Sequence, residues 1–354
     1  MFLTTSIHFL FLVFLGMLSL VLLLIIAVLI YSFYQYRESM QAYNWSEVIN
    51  KRISEVIVYG EDEISPDDNF SSASGSSLFR NLFLQKLAES EKKFSGAAQN
   101  KLKDLFREYG LQEEAFKKLS QKKVHLIAGG IQELTAMNVE EALPKISTFL
   151  SHPSAQVYQE AQYAMVHFKG FEGLHFLSSI TSTISEWQQL RLLISINQIP
   201  DNSGDHIKSW MESSNDSVVI FTLKLLRKFQ ILSLYLSVIN LLDHSSSEVR
   251  IQAVQTLLSL ENSSTITHLM EVYPHQPVEV QKEILKVMKK SKDRRSTDFL
   301  KDQLLNGTDS GVKVYAAEAL CALEKQEYLT EVLNRETSEE LIQIIKYALQ
   351  EKVC

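Results

Sequence analysis

The last two-thirds of the chain repeats a pattern of apolar positions at intervals of about 31 residues. With Val249 as the reference, one series of apolar residues recurs, and each member is followed four residues later by a second apolar residue on the same helix face. The first series is Val157, Leu190, Val219, Val249, Val280 and Val312, and the second is Ala161, Ile194, Leu223, Ala253, Ile284 and Ala316. The pattern predicts one buried helix in every repeat.

Short polar or turn-forming links separate these helices from an earlier apolar run. The link His244-Ser245-Ser246-Ser247 precedes Val249, for example, and the apolar run from Leu234 to Leu242 precedes that link. Each unit therefore reads helix, turn, helix. Two-helix repeats of this length cannot bury their apolar faces alone, so they stack side by side. The sequence predicts an all-α fold in which residues 141–354 form an α-solenoid of helical hairpins.

The repeats resemble the HEAT-repeat superfamily in its shorter bacterial form. The residues that carry the resemblance are a turn followed by Val-Arg-x-x-Ala, which is complete at Val249, Arg250 and Ala253. Lys313 and Gln281 stand where the other repeats would have the arginine, so a continuous ladder of arginine–acid pairs is not expected. The resemblance implies a HEAT-like fold over about residues 120–354, in which Arg250 braces the neighbouring turn.

The N-terminal segment has the composition of a membrane helix. Residues 1–36 contain no Asp, Glu, Lys or Arg, and Phe9 to Ile30 is almost unbroken in apolar residues. These residues span about 33 Å as a helix, enough to cross a hydrocarbon core of about 30 Å. A cleaved signal peptide would have a basic start, a shorter apolar region and a small-residue cleavage site, but Tyr31, Phe33 and Tyr34 stand there instead. We therefore expect residues 1–36 to be an uncleaved transmembrane anchor.

The charges beside this segment predict its orientation. No Lys or Arg precedes it, whereas Arg37, Lys51 and Arg52 follow soon after. The positive-inside rule then predicts a single-pass protein whose C-terminal part is cytoplasmic. Five Asn-x-Ser/Thr sequons keep an extracellular location open as the alternative. They begin at Asn44, Asn69, Asn215, Asn262 and Asn306.

The segment between anchor and repeats divides into three predicted parts. Residues 37–59 combine charged residues with apolar ones such as Trp45 and Ile49, which is typical of an amphipathic continuation near the membrane. Gly60 to Ser77 is acidic and then rich in Ser, so residues 37–77 are assigned as a juxtamembrane segment and flexible linker. Residues 78–140 show helical patterns without a clear repeat register, which is typical of the terminal cap of a repeat array.

Composition and motifs give no indication of catalysis. Two cysteines are too few for a disulfide framework, and the nine histidines show no metal-site spacing. The chain has no phosphate-binding glycine loop and no nucleophile elbow. The adjacent Gly129 and Gly130 lie in a helical pattern and indicate a bend or close packing. We expect no enzyme activity, no cofactor and no metal ion.

Charge argues against nucleic acid as a partner. Residues 121–354 carry 23 Lys and Arg against 28 Asp and Glu, a net charge of −5, and phosphate neutralisation needs the opposite sign. A local basic run between 282 and 295 is the exception. Lys282, Lys286 and Lys289 lie on or near one helix face, so they are candidates for contact with an acidic partner or an anionic lipid headgroup, with an ordinary solvated face as the alternative.

A second candidate binding site combines an aromatic residue with a cation. Trp187 and Arg191 are four residues apart and share a helix face, a combination that is enriched at interface hot spots. The alternative is a tryptophan that packs between repeats.

These observations favour a membrane-tethered protein–protein interaction scaffold. We expect a protein partner to dock on the concave surface lined by the second helices, as in a cytoplasmic accessory of a membrane-embedded complex. The alternatives are a HEAT-like lyase or enzyme-accessory protein that acts on a small molecule, and an extracellular adhesion module. A deep apolar pocket would favour the small-molecule alternative, whereas a shallow open groove would favour the scaffold.

Overall fold

The computed structural model describes residues 2–59, 68–260 and 262–350. Within those residues every regular element is a helix, and no strand is present. The chain divides into two compact units, Met1–Phe168 (unit 1) and Lys169–Cys354 (unit 2). The division falls later than residue 140, where the sequence placed the end of the cap.

Unit 1 consists of a very long helix followed by shorter ones. Its helices are α1 (Phe2–Tyr59), α2 (Asp68–Ala73), α3 (Ser77–Glu91), α4 (Ala97–Glu108), α5 (Gln112–Leu119), α6 (Val124–Ala136), α7 (Leu143–Ser147) and α8 (Ala155–Lys169), with a 3₁₀ turn at Glu140–Ala142. The helical patterns predicted between 78 and 140 correspond to α3, α4, α5 and α6. In α8 the two register residues Val157 and Ala161 are fully buried, as predicted.

Helix α1 continues from the apolar segment into the core of unit 1 without a break. Its residues from Phe9 to Tyr43 are exposed, whereas Ile49, Ile53 and Val56 are buried against the helices that follow. The amphipathic pattern predicted after residue 37 is thus confirmed, because its apolar side packs on α3 and α4. The exposed residues 31–44 form a helical stem about 20 Å long between the apolar segment and the packed part.

The predicted flexible linker is wrong in the part that the structure describes. Residues 60–67 lie outside the described residues, but α2 follows them, and Phe70 is 3 % exposed. The Phe70 ring meets Phe79, Phe83 and Tyr109 edge to face, with ring centroids 5.2–5.4 Å apart. One aromatic anchor holds a short Ser-rich segment that composition alone assigned as unfolded.

Unit 2 alternates short first helices with longer second helices. The first helices are α10 (Gly204–Met211), α12 (Tyr235–Asn240), α14 (Thr265–Val272), α16 (Thr297–Asn306) and α18 (Gln326–Arg335). The second helices are α9 (Glu186–Ser195), α11 (Asp216–Phe229), α13 (Ser247–Ser259), α15 (Val278–Ser291), α17 (Ser310–Ala322) and α19 (Glu339–Gln350). Turns of 3₁₀ helix occupy Gly170–Ser178, Asp201–Ser203, Leu232–Leu234, Leu241–Asp243, Tyr273–His275 and Arg294–Ser296.

Consecutive second helices from α9 to α19 pack on one another and form one continuous layer. The valines of the predicted register, and the residues four positions after them, lie in this packing. Val219, Val249, Val280 and Val312, and likewise Leu223, Ala253, Ile284 and Ala316, are buried. Unit 2 is therefore the helical-hairpin α-solenoid that the sequence predicted.

The predicted register is wrong in α9. Leu190 is 49 % exposed and Ile194 is 68 % exposed, while Gln188 and Leu192 are buried. The buried pair is again four residues apart, and Gln188 lies 31 residues after Val157 and 31 before Val219. The buried register position in α9 is therefore held by Gln188, a polar residue. The sequence-based register chose the apolar Leu190 instead and was wrong by two residues.

Candidate protein-binding surface

Polar contacts hold the inward face of α9. The Ser185 hydroxyl caps the helix by accepting a hydrogen bond from the Gln188 backbone N–H at 3.3 Å. Gln189 is 3 % exposed, and its side chain donates to the Ile184 carbonyl at 2.9 Å and accepts from Lys224 Nζ at 2.8 Å. Because its polar groups are paired, a buried glutamine is tolerated here. The apolar residues of α9 are then left on the opposite side.

The outward face of α9 is an exposed apolar stripe. We call Trp187, Leu190 and Ile194 the α9 stripe. Their spacing of three and four residues places them on one helix face, and Trp187 is 72 % exposed. Arg191 lies beside them and is half-buried. Trp187 is therefore not packed between repeats, and the structure brings both residues of the predicted aromatic–cation site to the same face.

The predicted basic candidates on α15 contact acidic side chains of their own unit. Lys282 pairs with Asp309 at 2.9 Å, Lys286 with Glu283 at 3.2 Å, and Lys289 with Glu318 at 2.9 Å. Lys286 Nζ also lies 5.0 Å from the centre of the Tyr315 ring. These contacts connect α15 with α17 and the turn before it, so the three lysines have a structural role whether or not a partner also meets them.

The ion pairs shift the pKa values of their members. Burial is the largest single influence and opposes the charge on Lys286, but the hydrogen bond and negative charge of Glu283, together with Tyr315, outweigh it, so the Lys286 pKa is raised. The hydrogen bond from Lys282 lowers the pKa of the Asp309 carboxyl. Both shifts favour the charged forms at neutral pH. The role of Lys282, Lys286 and Lys289 in binding stays a prediction.

Pattern reading missed a row of polar side chains across the second helices. Arg227 Nη1 donates to Gln255 Oε1 at 2.8 Å, Gln255 Nε2 donates to Glu283 Oε1 at 2.8 Å, and Lys286 meets the other oxygen of Glu283 at 3.2 Å. Arg227, Gln255 and Glu283 are spaced 28 residues apart on α11, α13 and α15. This constant spacing, close to the repeat length, is the signal that could have revealed the row.

The polar row lines a groove of about 1090 Å³ in unit 2. The groove is open to solvent, and most of its lining side chains are polar or charged. The cations are Arg227, Lys286, Lys290 and Arg295, the acids are Glu283 and Asp293, and the apolar residues are Leu258, Ile266 and Val287. An open, polar groove suits a peptide or a protein surface better than a small apolar ligand.

The repeat pattern has a match among known families. Residues 207–321, from α10 to α17, match the family model for HEAT repeats. This part of the chain is an array of HEAT repeats. No curated protein matches the chain.

Similarities to solved structures are weak. An engineered protein is 19 % identical at a TM-score of 0.34, over 77 % of this chain and 85 % of its own. Human deoxyhypusine hydroxylase in complex with glycerol is 14 % identical at a TM-score of 0.28, over 88 % of this chain and 98 % of its own. The CpcE–CpcF complex of phycocyanin lyase from Nostoc sp. PCC7120 is 13 % identical at a TM-score of 0.26, over 82 % of this chain and 97 % of the matched chain. Likenesses at this level say nothing about the function of this chain.

Within the HEAT array, Arg250 braces the neighbouring turn as the resemblance implied. Its Nε donates to the His244 carbonyl, and its Nη1 donates to Gln276 Oε1 at 3.2 Å. Gln276 is buried and in turn donates to the Leu242 carbonyl at 3.0 Å. The arginine of this repeat thus joins two successive turns and is part of the scaffold rather than of a binding surface.

Chemistry-bearing clusters are scarce in the part of the chain that the structure describes. Over residues 2–59, 68–260 and 262–350, no group of three or more His, Cys, Asp or Glu side chains is placed to hold a metal ion. Cys321 is buried, and its thiol donates to the Ala348 carbonyl at 3.3 Å. The exposed stripe and the open groove are two candidate surfaces of unit 2 for a partner.

Proposed function

We propose that the chain is a membrane-tethered scaffold that binds a protein partner through its HEAT array, as an accessory of a membrane complex. The observation that carries the proposal is the α9 stripe. A tryptophan that is 72 % exposed, beside two further exposed apolar side chains and an arginine, has the composition of an interface hot spot. Large apolar side chains that cluster on a surface indicate a binding site more strongly than single ones do.

The helix α1 supports the tether. An 18-residue stretch within its exposed part is apolar enough and long enough to cross a bilayer. The cations Arg37, Lys51 and Arg52 follow it, which favours a cytoplasmic location for the rest of the chain. Extraction of membranes with alkaline carbonate tests the tether: the full chain should stay in the pellet, and a chain without residues 1–36 should be released.

The open groove favours a scaffold function over the alternative of an enzyme that acts on a small molecule. A site for a small apolar molecule would enclose its ligand among apolar side chains. The groove along the polar row is instead open and lined mainly by polar and charged side chains. We therefore propose no catalytic residue and no cofactor.

Photocrosslinking in native membranes tests the scaffold. A photoreactive amino acid replaces Trp187 in one variant and Leu236 in the control, because both side chains are 72 % exposed and Leu236 lies on a first helix. The proposal predicts one reproducible protein adduct from position 187 that is absent from position 236. The adduct should disappear when Ile194→Asp is added, since a charge then interrupts the stripe. Equal adduct patterns at the two positions would contradict the proposal.

A further inference from the structure

A half-buried guanidinium without an acid lies in the groove of unit 2. Arg227 donates to the neutral amide oxygen of Gln255, and among the described residues no carboxylate lies within ion-pairing distance of it. A guanidinium offers five N–H donors, and a partly buried charge is stabilised best by a bidentate carboxylate or phosphate. Burial lowers the Arg227 pKa, which reflects this missing compensation. Arg227 is therefore a half-buried cation whose side-chain partner is a neutral amide.

The groove contains a second cation that is not paired with a carboxylate of the described residues. Lys286 is paired with Glu283, and Arg295 is paired with Asp293 at 2.5 Å. Lys290 lines the same groove, is exposed and has no carboxylate partner among the described residues. Four cations against two acids leave an excess of two positive charges in the groove, in a chain whose net charge is −7. Charge complementarity therefore favours an acidic ligand.

The distribution of charge favours a peptide over a nucleic acid. Glu283 and Asp293 line the same groove as the cations, and a ligand with a negative charge at every step would meet both of them. A peptide with spaced carboxylates can place its negative charges on the cations and away from these two acids. Hydrogen-bonding side chains for a peptide backbone are also present along the groove, and they are Gln230, Ser259, Asn262, Ser263 and Ser291.

We infer that this groove binds an extended acidic peptide segment of the partner, with one carboxylate on Arg227 and a second on Lys290. The inference rests on the proposed scaffold function. Arg227 lies on α11 and Lys290 on α15, two helices further along the layer. At about 8–10 Å between adjacent helices, the cations are roughly 16–20 Å apart. An extended chain covers this distance in about five or six residues, so the matching peptide has two acidic residues at that spacing.

Peptide binding to the full-length protein in nanodiscs tests the inference. The probe is a fluorescein-labelled hexapeptide with Glu at both ends and Ser and Gly between them. The control peptides have Gln at both ends, or two adjacent Glu in the centre. The spaced peptide should bind at least about tenfold more tightly than either control, because it alone places a carboxylate on both cations. Equal binding of the three peptides would overturn the inference.

Variants of the two cations locate the site. Arg227→Gln and Lys290→Gln should each weaken binding of the spaced peptide about tenfold, and Lys346→Gln, an exposed lysine outside the groove, should not. Because Lys290 is exposed, its variant keeps the test valid if Arg227→Gln unfolds. Displacement of the peptide by equimolar inorganic pyrophosphate, or tighter binding to phosphatidylserine vesicles than to the peptide, would show phosphate or lipid chemistry instead and would also overturn the inference.

The two proposals fail separately. Loss of peptide binding with an intact Trp187 adduct would remove the groove inference and leave the scaffold. Peptide binding that depends on Arg227 without any adduct at Trp187 would support the groove and remove the α9 stripe as the docking surface.

Discussion

The indole ring of Trp45 meets the ring of Phe79 edge to face, with centroids 5.6 Å apart and planes at 88°. This contact joins α1, the helix that carries the apolar N-terminal segment, to α3 of unit 1. Together with the buried Ile49, Ile53 and Val56, it makes the end of α1 part of the unit 1 core. The predicted membrane segment is therefore connected to the core of unit 1 by continuous helix rather than by a flexible linker.

Two truncations distinguish the exposed part of α1 from the part that packs in the core of unit 1. Removal of residues 1–36 should leave the thermal stability of unit 1 within about 2 °C, because residues 9–36 are exposed and lie outside its core. Removal of residues 1–59 also deletes three buried apolar side chains, each of which contributes about 1.5–3 kcal/mol. Unit 1 should then lose roughly 5 kcal/mol or more of its free energy of unfolding. Circular dichroism melts check this, and equal melting of the two truncated chains would contradict the packing of α1.

The two faces of α9 should respond differently to substitution. Trp187→Ala should change the free energy of unfolding by less than about 0.5 kcal/mol, because the side chain is exposed, yet it should abolish partner capture. Leu192→Ala on the buried face should cost about 2–5 kcal/mol. Denaturant unfolding of both variants, combined with crosslinking from a photoreactive residue at position 190 in each of them, measures this contrast. A large stability loss in Trp187→Ala would indicate a packed tryptophan instead.

Local periodicity predicted most of the fold and little of the candidate surfaces. The buried valines from Val219 to Val312 could be found because burial of a helix face repeats along the sequence. The α9 register could not, since Gln188 and Gln189 are buried polar residues whose position depends on the packing and on partners elsewhere in the fold, such as Lys224. The same holds for the groove, where Arg227 meets Gln255 only after the helices stack.

Tyr273 should make unit 2 sensitive to alkaline pH. Its ring is buried and its hydroxyl has no hydrogen-bond partner among the described residues. Burial, and to a lesser degree Asp309, raise the pKa of this tyrosine to about 12. The folded-state pKa lies above the unfolded value of about 10, so the stability from this group is present below pH 10 and is lost as the pH rises through 12.

The Tyr273→Phe variant tests both consequences. At pH 7 the free energy of unfolding should stay within about 0.5 kcal/mol of the wild type or increase, because an unpaired buried hydroxyl is removed. Between pH 9 and 11.5 the wild type should lose on the order of 1–2 kcal/mol more than the variant. Urea titrations at the two pH values measure the difference. A variant that loses as much stability as the wild type would show that Tyr273 is not the responsible group.

The adjacent glycines of α6 offer a matched pair of substitutions. A Cβ on Gly130 would lie 2.9 Å from Lys118 Cβ and 3.0 Å from the Ala115 carbonyl oxygen, so α5 and α6 approach too closely for a side chain there. A Cβ on Gly129 would meet nothing within 4 Å. Close packing, one of the two interpretations from the sequence, is thus confirmed at Gly130.

Alanine at these two positions should have effects of opposite sign. Gly129→Ala should stabilise unit 1 by about 0.5–1 kcal/mol, because glycine costs conformational entropy in a helix. Gly130→Ala should destabilise it by about 1–3 kcal/mol, because α5 must move and the 2.5 Å ion pair between Lys118 and the buried Glu133 is disturbed. Denaturant unfolding of the two variants measures both changes, and stabilisation by Gly130→Ala would mean that α5 and α6 do not pack this closely.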